Sequence, residues 1–207
     1  MFKPWIGDNY WESSFRILVL GESHYGEAHL EHGYELEEKT ILCIQEQIDN
    51  VWRHAFYTKI VSTFLGHRPS LSEKKIFWHQ VAYHNLITEP LKEARTPPSQ
   101  EQWATSIATL PSVLEDLRPD YCVCLGFRMW PHLERAFDFE PVKISADPGE
   151  CGVVFSPTYK CALHGIKHPS GGFSSNFWHH RISDTLDELM DNKAAHTNPL
   201  PRPESKF

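Results

Sequence analysis

Two short polar loops, about 150 residues apart, carry the side chains of this chain best suited to chemistry. Residues 21–26 read Gly-Glu-Ser-His-Tyr-Gly, and residues 168–172 read His-Pro-Ser-Gly-Gly. Glu22 supplies a carboxylate and His168 an imidazole, two groups that commonly transfer protons or stabilise developing charge. Taken alone, the first loop fits equally well a glycine-bounded turn whose polar residues are solvated.

The segments around these loops predict where they lie. The apolar run 15–20 precedes the first loop and is typical of a buried parallel strand. The second loop follows the apolar run 161–166 and precedes a helix-like run, 177–190. In an open α/β sheet, ligands bind outside the carboxyl ends of the strands. We therefore expect the two loops to face one crevice.

The remaining pattern predicts one α/β domain over residues 1–194. Strands are expected at 15–20, 80–86, 120–125, 152–155 and 160–166, and helices at 35–47, 52–66, 72–78, 100–117, 127–137 and 175–190. This alternation favours a three-layer α/β/α architecture with a mostly parallel central sheet. Ser99 and Gln102 have the spacing of a capping box. Residues 195–207 contain three prolines and no apolar period, which predicts a mobile C-terminal tail.

Composition limits the classes of partner. The chain has 207 residues and a formal net charge of −7, which counts against a large sequence-independent nucleic-acid footprint but allows a small local one. Its apolar runs are far shorter than a membrane span, and the N-terminus lacks the apolar segment of a signal peptide. We expect a cytoplasmic protein that does not enter membranes and needs no obligatory protein partner.

The cysteines and histidines do not predict a metal site. The five cysteines form no C-x-x-C pair, so we expect reduced thiols and no iron–sulfur cluster. His24, His29 and His32 are spaced irregularly for any helix, and His179 and His180 are adjacent, so their side chains diverge. The sequence therefore predicts neither a metal nor a cofactor.

Asn85 and the residues after His168 are further candidates for ligand contacts. Asn85 ends a predicted strand, where its amide could read the edge of a heterocycle or satisfy local backbone. Gly171 and Gly172 allow close approach to a ligand, and the helix that follows could attract phosphate. Phe173 is either an apolar tip that wedges into a base stack or a side chain packed in the core. Candidate local phosphate contacts are Arg128, Lys160, Lys167 and Arg181.

Ser23 raises a separate possibility. Residues 21–23 resemble the Gly-Asp-Ser block of the SGNH hydrolases, with Glu22 in the place of the aspartate. That family also carries an Asp-x-x-His element late in the chain, and none of the late histidines here has an aspartate three residues earlier. A nucleophile elbow would need glycine where Tyr25 stands.

Taken together, the segments from Ile17 to about Met190 resemble the uracil-DNA glycosylase superfamily. Five elements follow in the family's order: the loop 21–25, Asn85, Thr96-Pro97-Pro98, Leu125-Gly126 and His168-Pro169-Ser170. Each element is weak alone, but five in order are fairly specific. The resemblance implies a uracil-DNA glycosylase-like fold.

The resemblance also implies roles for the matched positions. Glu22 corresponds to the acidic catalytic residue of the thermostable iron–sulfur branch, and His168 to the histidine that stabilises the departing base anion. The base-binding positions are Ser23, His24, Tyr25, Tyr34 and Asn85. The DNA-binding positions are Lys167, Ser170, Gly171, Gly172, Phe173 and Ser174. This chain departs from the family at Ser23, where several branches have a water-activating Asp or Asn, at His24, which replaces a proline, and in lacking the cluster cysteines.

The implied function is a DNA glycosylase that hydrolyses the N-glycosidic bond of a flipped-out modified or damaged base. The polar first loop suggests a bulky or polar substituent, such as a glucosylated hydroxymethylcytosine of phage DNA, which would make the protein an antiviral defence enzyme. Uracil-type base excision repair is the competing assignment. An SGNH-like serine esterase that uses Ser23 and a non-catalytic DNA-binding module are the alternatives. In the glycosylase assignment the partner is DNA.

Overall fold

A central sheet with apolar strands organises the chain. The computed structural model describes residues 1–26, 35–93, 96–142, 147, 149 and 151–194. Within these residues the strands are β1 (Trp5–Ile6), β2 (Ile17–Gly21), β3 (Ala82–Asn85), β4 (Tyr121–Leu125), β5 (Glu140–Pro141), β6 (Val153–Ser156) and β7 (Cys161–Ile166). They form one seven-stranded sheet of order β1-β3-β2-β4-β7-β6-β5.

The four central strands, β3, β2, β4 and β7, are parallel, and the three outer strands are antiparallel to their neighbours. The central strands are almost wholly buried, as expected where helices cover both faces of a parallel sheet. From β2 the chain passes to β3 on one side, and later to β4 on the other. This reversal opens a crevice at the carboxyl end of β2.

Helices cover both faces of the sheet. They are α1 (Lys39–Ile48), α2 (Ala55–Leu65), α3 (Leu71–Gln80), α4 (Gln100–Leu117), α5 (Trp130–Ala136) and α6 (Ser175–Ala194). Helices α1, α2, α3 and α6 share one core with Val19 and Val123, whereas α4 and α5 share the opposite core with Leu18 and Leu20. The alternation of residues 18–20 between the two cores follows the two-residue period of a strand. Among the described residues, no helix combines the length and apolar character needed to cross a membrane.

The α/β class and the mostly parallel centre of the sheet are confirmed. Helix α4 has the predicted bounds, and the capping box of Ser99 and Gln102 is formed. The predicted helix 35–47 begins later, because residues 36–38 form a 3-10 turn, and the predicted helix 127–137 likewise opens with a 3-10 turn at 127–129. The short edge strands β1 and β5 were not predicted. The predicted tail, residues 195–207, lies outside the described residues.

Candidate functional site

A cleft of about 1060 Å³ lies beyond the carboxyl ends of β2 and β3. Its walls come from the loop after β2, from helices α1 and α2, and from the loop after β7. Both polar loops singled out in the sequence line it, as the strand order requires. The predicted site residues that line this cleft are Glu22, Ser23, His24, Tyr25, Asn85, His168 and Ser170.

Glu22 directly follows β2 and is held by an arginine from the 3-10 turn after the neighbouring strand β4. Glu22 is only 5% exposed. Nε of Arg128 donates to Oε2 of Glu22 at 2.8 Å, and Nη2 of Arg128 donates to Oε1. The pKa of Arg128 is raised, chiefly by this hydrogen bond to Glu22. The carboxylate therefore lines the cleft as one half of a bidentate ion pair. The sequence predicted Arg128 as a candidate phosphate contact, and the structure shows it hydrogen-bonded to Glu22.

His168 follows β7 and is fixed by an aromatic neighbour. Its ring stacks on Phe56 of α2, with the centroids 5.1 Å apart and 30° between the planes. Burial lowers the pKa of His168, with smaller and opposing effects from the charges of Glu22 and Arg128. The imidazole is therefore neutral at pH 7 and carries one N–H donor.

The loop after His168 is tied to α2 as well. Nζ of Lys59 donates to the carbonyl of Ser170 at 2.6 Å. Lys59 and Phe56 lie on the same helix, so α2 holds both the imidazole and the backbone beside it. This pair of contacts fixes His168 relative to the cleft.

Asn85 ends β3 opposite Gly21 in the sheet register. Oδ1 of Asn85 accepts a hydrogen bond from the Tyr83 hydroxyl at 3.0 Å. A Cβ atom on Gly21 would lie 2.1 Å from that same Oδ1. Glycine is therefore required at position 21 for the amide to lie across the end of β2. With Oδ1 held by Tyr83, the Nδ2 amide is left to donate to a ligand.

The other residues of the first loop differ in how they are engaged. Oγ of Ser23 is buried, and it has no hydrogen-bond partner among the described residues. Nε2 of His24 is 2.8 Å from Oγ1 of Thr40, and burial lowers the pKa of His24 to about 3. Tyr25 is half-buried and forms a β-bridge with Leu91. Tyr34, His29 and His32 lie outside the described residues.

The late loop presents exposed backbone and small side chains. Ser170, Gly171 and Gly172 are exposed. Lys167 donates to the carbonyl of Gly172 at 3.0 Å, which closes the loop. Oγ of Ser174 accepts from the backbone N–H of Phe177 at 3.2 Å and so caps the start of α6.

Phe173 differs from the exposed apolar tip that a wedge needs. It is half-buried and packs against the core beneath α6. Phe177, four residues later in the first turn of α6, is 45% exposed instead, and the guanidinium of Arg181 lies 3.6 Å from the centre of its ring. Arg181 also pairs with Asp147. The wedge role of Phe173 therefore stays a prediction that its packing does not favour.

The helical wall of the cleft was missed by sequence reasoning. It includes Lys39, Trp52, Phe56 and Lys59. No local motif marks the residues of α1 and α2, because packing of these helices on the sheet brings them to the cleft. Trp52 is an exception, since an aromatic side chain in a polar turn between two helices is a signal. It is 52% exposed, and the side chain of Gln47 donates to its carbonyl at 2.8 Å.

The described residues place no group of three or more His, Cys, Asp or Glu side chains where it could hold a metal ion. Cys122, Cys124 and Cys161 are buried, and all five cysteines are free thiols. Burial raises the pKa of Cys161 well above its ordinary value, so that thiol stays protonated.

A scan of the chain against protein-family models gives no match, and a search of curated protein sequences gives none either. The function of the cleft therefore has to be argued from its own geometry and chemistry.

Proposed function

We propose that this chain is a DNA glycosylase that hydrolyses the N-glycosidic bond of a modified or damaged base flipped out of the DNA. One observation carries the proposal. Glu22, Asn85 and His168, which lie on three separate segments of the chain, line one cleft at the carboxyl ends of the parallel strands. A carboxylate, an amide and a neutral imidazole are the groups needed to stabilise a cationic sugar, to read a base and to stabilise its departure.

The reaction divides between these three side chains. The bond between C1′ of the sugar and the base nitrogen breaks, and its electron pair leaves with the base. The sugar then carries oxocarbenium-like positive charge, which the Glu22 carboxylate stabilises. Water adds to C1′ and releases a proton, and the base anion takes up a proton to leave as the free base.

His168 acts on the leaving base. Burial favours its neutral form, so the imidazole donates one hydrogen bond without adding a positive charge before the bond breaks. That hydrogen bond strengthens as negative charge gathers on the base. The stack on Phe56 holds the ring in place, so little reorganisation accompanies the reaction.

The exposed loop after His168 is suited to holding the DNA backbone. Ser170, Gly171 and Gly172 present small side chains and accessible backbone immediately before α6. The start of this 20-residue helix adds partial positive charge, which favours a phosphate. The loop and the cleft are adjacent, so one bound strand can place its phosphate on the loop and its base in the cleft.

The substrate base is either a uracil-type deaminated base or a larger modified pyrimidine such as glucosylated hydroxymethylcytosine. The cleft reaches the upper end of the range of small-molecule sites, about 300–1,000 Å³. The buried, unpartnered hydroxyl of Ser23 offers a hydrogen bond that a polar substituent would complete. These two features favour the larger base, and with it a role in defence against phage.

A serine esterase has less support. Oγ of Ser23 has no hydrogen-bond partner among the described residues, and the adjacent His24 is engaged with Thr40. A nucleophilic serine needs a base within hydrogen-bonding reach. A non-catalytic DNA-binding module would use the same loop but would not need Glu22.

The decisive experiment is mass-spectrometric detection of free base. Purified protein is incubated with uracil-containing DNA and, separately, with DNA that carries glucosylated hydroxymethylcytosine. We expect release from at least one, greatly slowed in Glu22→Gln and in His168→Ala. His180→Ala serves as the matched control, because His180 is exposed on α6 away from the cleft. DNA binding that survives both cleft substitutions, without base release from the wild type, would contradict catalysis and favour the binding module.

A further inference from the structure

Arg128 is the ion-pair partner of the Glu22 carboxylate. A carboxylate as buried as that of Glu22 is costly unless it is paired and hydrogen-bonded. The planar guanidinium of Arg128 meets both carboxylate oxygens, one bond from Nε and one from Nη2. Two parallel hydrogen bonds fix the rotation of the carboxylate as well as its position.

The backbone that carries Arg128 directly follows a central strand of the sheet. Arg128 lies in the 3-10 turn that follows β4, and β4 pairs with β2. Gly126 starts that turn with φ of 130°, and its N–H donates to the carbonyl of Ile166 at the end of β7. The residues that line the cleft include Glu22 but not Arg128, although the Arg128 side chain is 41% exposed.

We propose that Arg128 is a positioning residue for base release, which fixes the orientation of the Glu22 carboxylate before DNA arrives. The inference rests on the proposed glycosylase function. Each carboxylate oxygen keeps a second lone pair for a water or for the sugar. Held in this orientation, the Glu22 carboxylate orients water and stabilises the sugar cation.

Other titratable groups also lie around Glu22. His168 faces it from the loop after β7, and Lys59 of α2 acts on His168 in turn. His132 of α5 interacts with the charge of Glu22. Tyr25, in the loop that also carries Glu22, interacts with Arg128. Arg128 is the group of this set that hydrogen-bonds directly to the Glu22 carboxylate.

A double-mutant cycle tests the inference on the DNA from which the wild type releases base. Single-turnover rates are measured for Arg128→Gln, Glu22→Gln and the double variant. We expect Arg128→Gln to slow release about 10²-fold, the loss typical of a misplaced catalytic group. The double variant should be no slower than Glu22→Gln, because Arg128 acts only through Glu22. Arg128→Lys should recover part of the rate, since lysine restores the charge but not the bidentate geometry.

A split between rate and affinity separates positioning from a merely structural role. Arg128→Gln should slow single-turnover release while its affinity for DNA stays close to that of the wild type, because Arg128 contacts Glu22 and acts through it. Arg135→Gln, an exposed substitution on α5, should leave both rate and affinity unchanged. Additive losses in the cycle, or a loss of affinity as large as the loss of rate, would overturn the positioning role alone. A wild type that releases no base from any DNA would overturn the proposed function and this inference with it.

Discussion

Because position 21 is glycine, the end of β2 leaves room for the amide of Asn85. A methyl group there would approach Oδ1 of Asn85 and the Tyr83 hydroxyl to 2.1 and 2.5 Å, so one of these side chains would have to move. We predict that Gly21→Ala displaces the amide and slows base release about 10²-fold. It should also lower the free energy of unfolding by about 1–3 kcal/mol, the usual cost of overpacking.

Gly165→Ala is the matched control for that prediction. A Cβ atom at Gly165 would lie 2.6 Å from Cβ of Cys151 and 2.8 Å from the Trp130 ring, away from the cleft. It should destabilise the fold to a similar degree and leave the rate per folded molecule unchanged. Denaturant unfolding and single-turnover release, measured on both variants, check the pair. Equal loss of rate in both would show that packing alone, and not the amide, controls the reaction.

Two buried histidines make the stability of the chain dependent on pH. Burial lowers the pKa of His24 to about 3 and that of His84 to about 4, against 6.5 when unfolded. Below pH 6.5 the unfolded chain binds protons that the folded chain does not accept. Stability is therefore fully present above pH 6.5 and is lost as the pH falls toward 4 and 3. We predict a falling melting temperature over that interval.

Substitution of each histidine checks this account. His84→Leu should flatten the acid limb at little cost at pH 8, because Nδ1 of His84 is buried without a partner among the described residues. His24→Leu should also flatten it, but at pH 8 it should cost about 1 kcal/mol for the lost hydrogen bond to Thr40. Melting curves from pH 4 to 8 measure both effects. An acid limb unchanged in both variants would assign the pH dependence to other groups.

At the scale of elements, helix α2 positions the loop that carries His168. Nζ of Lys59 donates to the carbonyl of Ser170, and Lys59→Met removes this bond while it keeps most of the apolar stem. We predict that base release slows about tenfold, since the imidazole loses part of its orientation. The melting temperature should change little, because one partly exposed hydrogen bond is worth about 1 kcal/mol.

Lys74→Met is the comparison for this element. Nζ of Lys74 donates to Oγ1 of Thr58 at 2.8 Å and so links α3 to α2 outside the cleft. The Lys74→Met substitution should therefore leave the rate of base release unchanged. If Lys59→Met and Lys74→Met slow the reaction equally, the tether to Ser170 has no specific part in it.

How far the sequence predicts the elements depends on whether a local rule governs them. Helix α4 was predicted with its bounds because Ser99 and Gln102 form a capping box, and the central strands because their residues are continuously apolar. A two-residue strand such as β1 or β5 has no period to detect. Its pairing comes from contacts distant in the chain, which no local pattern records.

The residues of the candidate site likewise divide into those that a local sequence pattern predicts and those that only packing brings together. Glu22, Asn85 and His168 follow strand ends, and the topology of a parallel sheet brings such positions together. The pairing of Glu22 with Arg128 joins residues 106 positions apart, and Phe56 reaches His168 only through the packing of α2. Contacts of this kind depend on three-dimensional packing, so the sequence could name Arg128 as a candidate phosphate contact but not as the partner of Glu22.

At the scale of the whole molecule, the charge balance limits how the chain can hold DNA. The chain has 20 Lys and Arg against 27 Asp and Glu, a net charge of −7. Lys59 and Lys167 each donate a hydrogen bond to a backbone carbonyl of the exposed loop after His168. Binding should therefore rest on a few phosphate contacts near residues 170–174 and on the base in the cleft. A broad basic surface is not part of this arrangement.

This arrangement predicts a shallow dependence of DNA affinity on salt. Each neutralised phosphate contributes about −0.9 to the slope of log K against log salt concentration, so about three contacts give a slope near −3. Fluorescence anisotropy with Glu22→Gln, whose turnover should be too slow to affect the measurement, gives the slope on DNA that contains the substrate base. Lys167→Ala should make it shallower by about one contact, whereas Lys75→Ala, on the exposed surface of α3, should not change it. A slope of about −6 or steeper would require a larger basic footprint than this loop provides, and would place the DNA on another surface of the molecule.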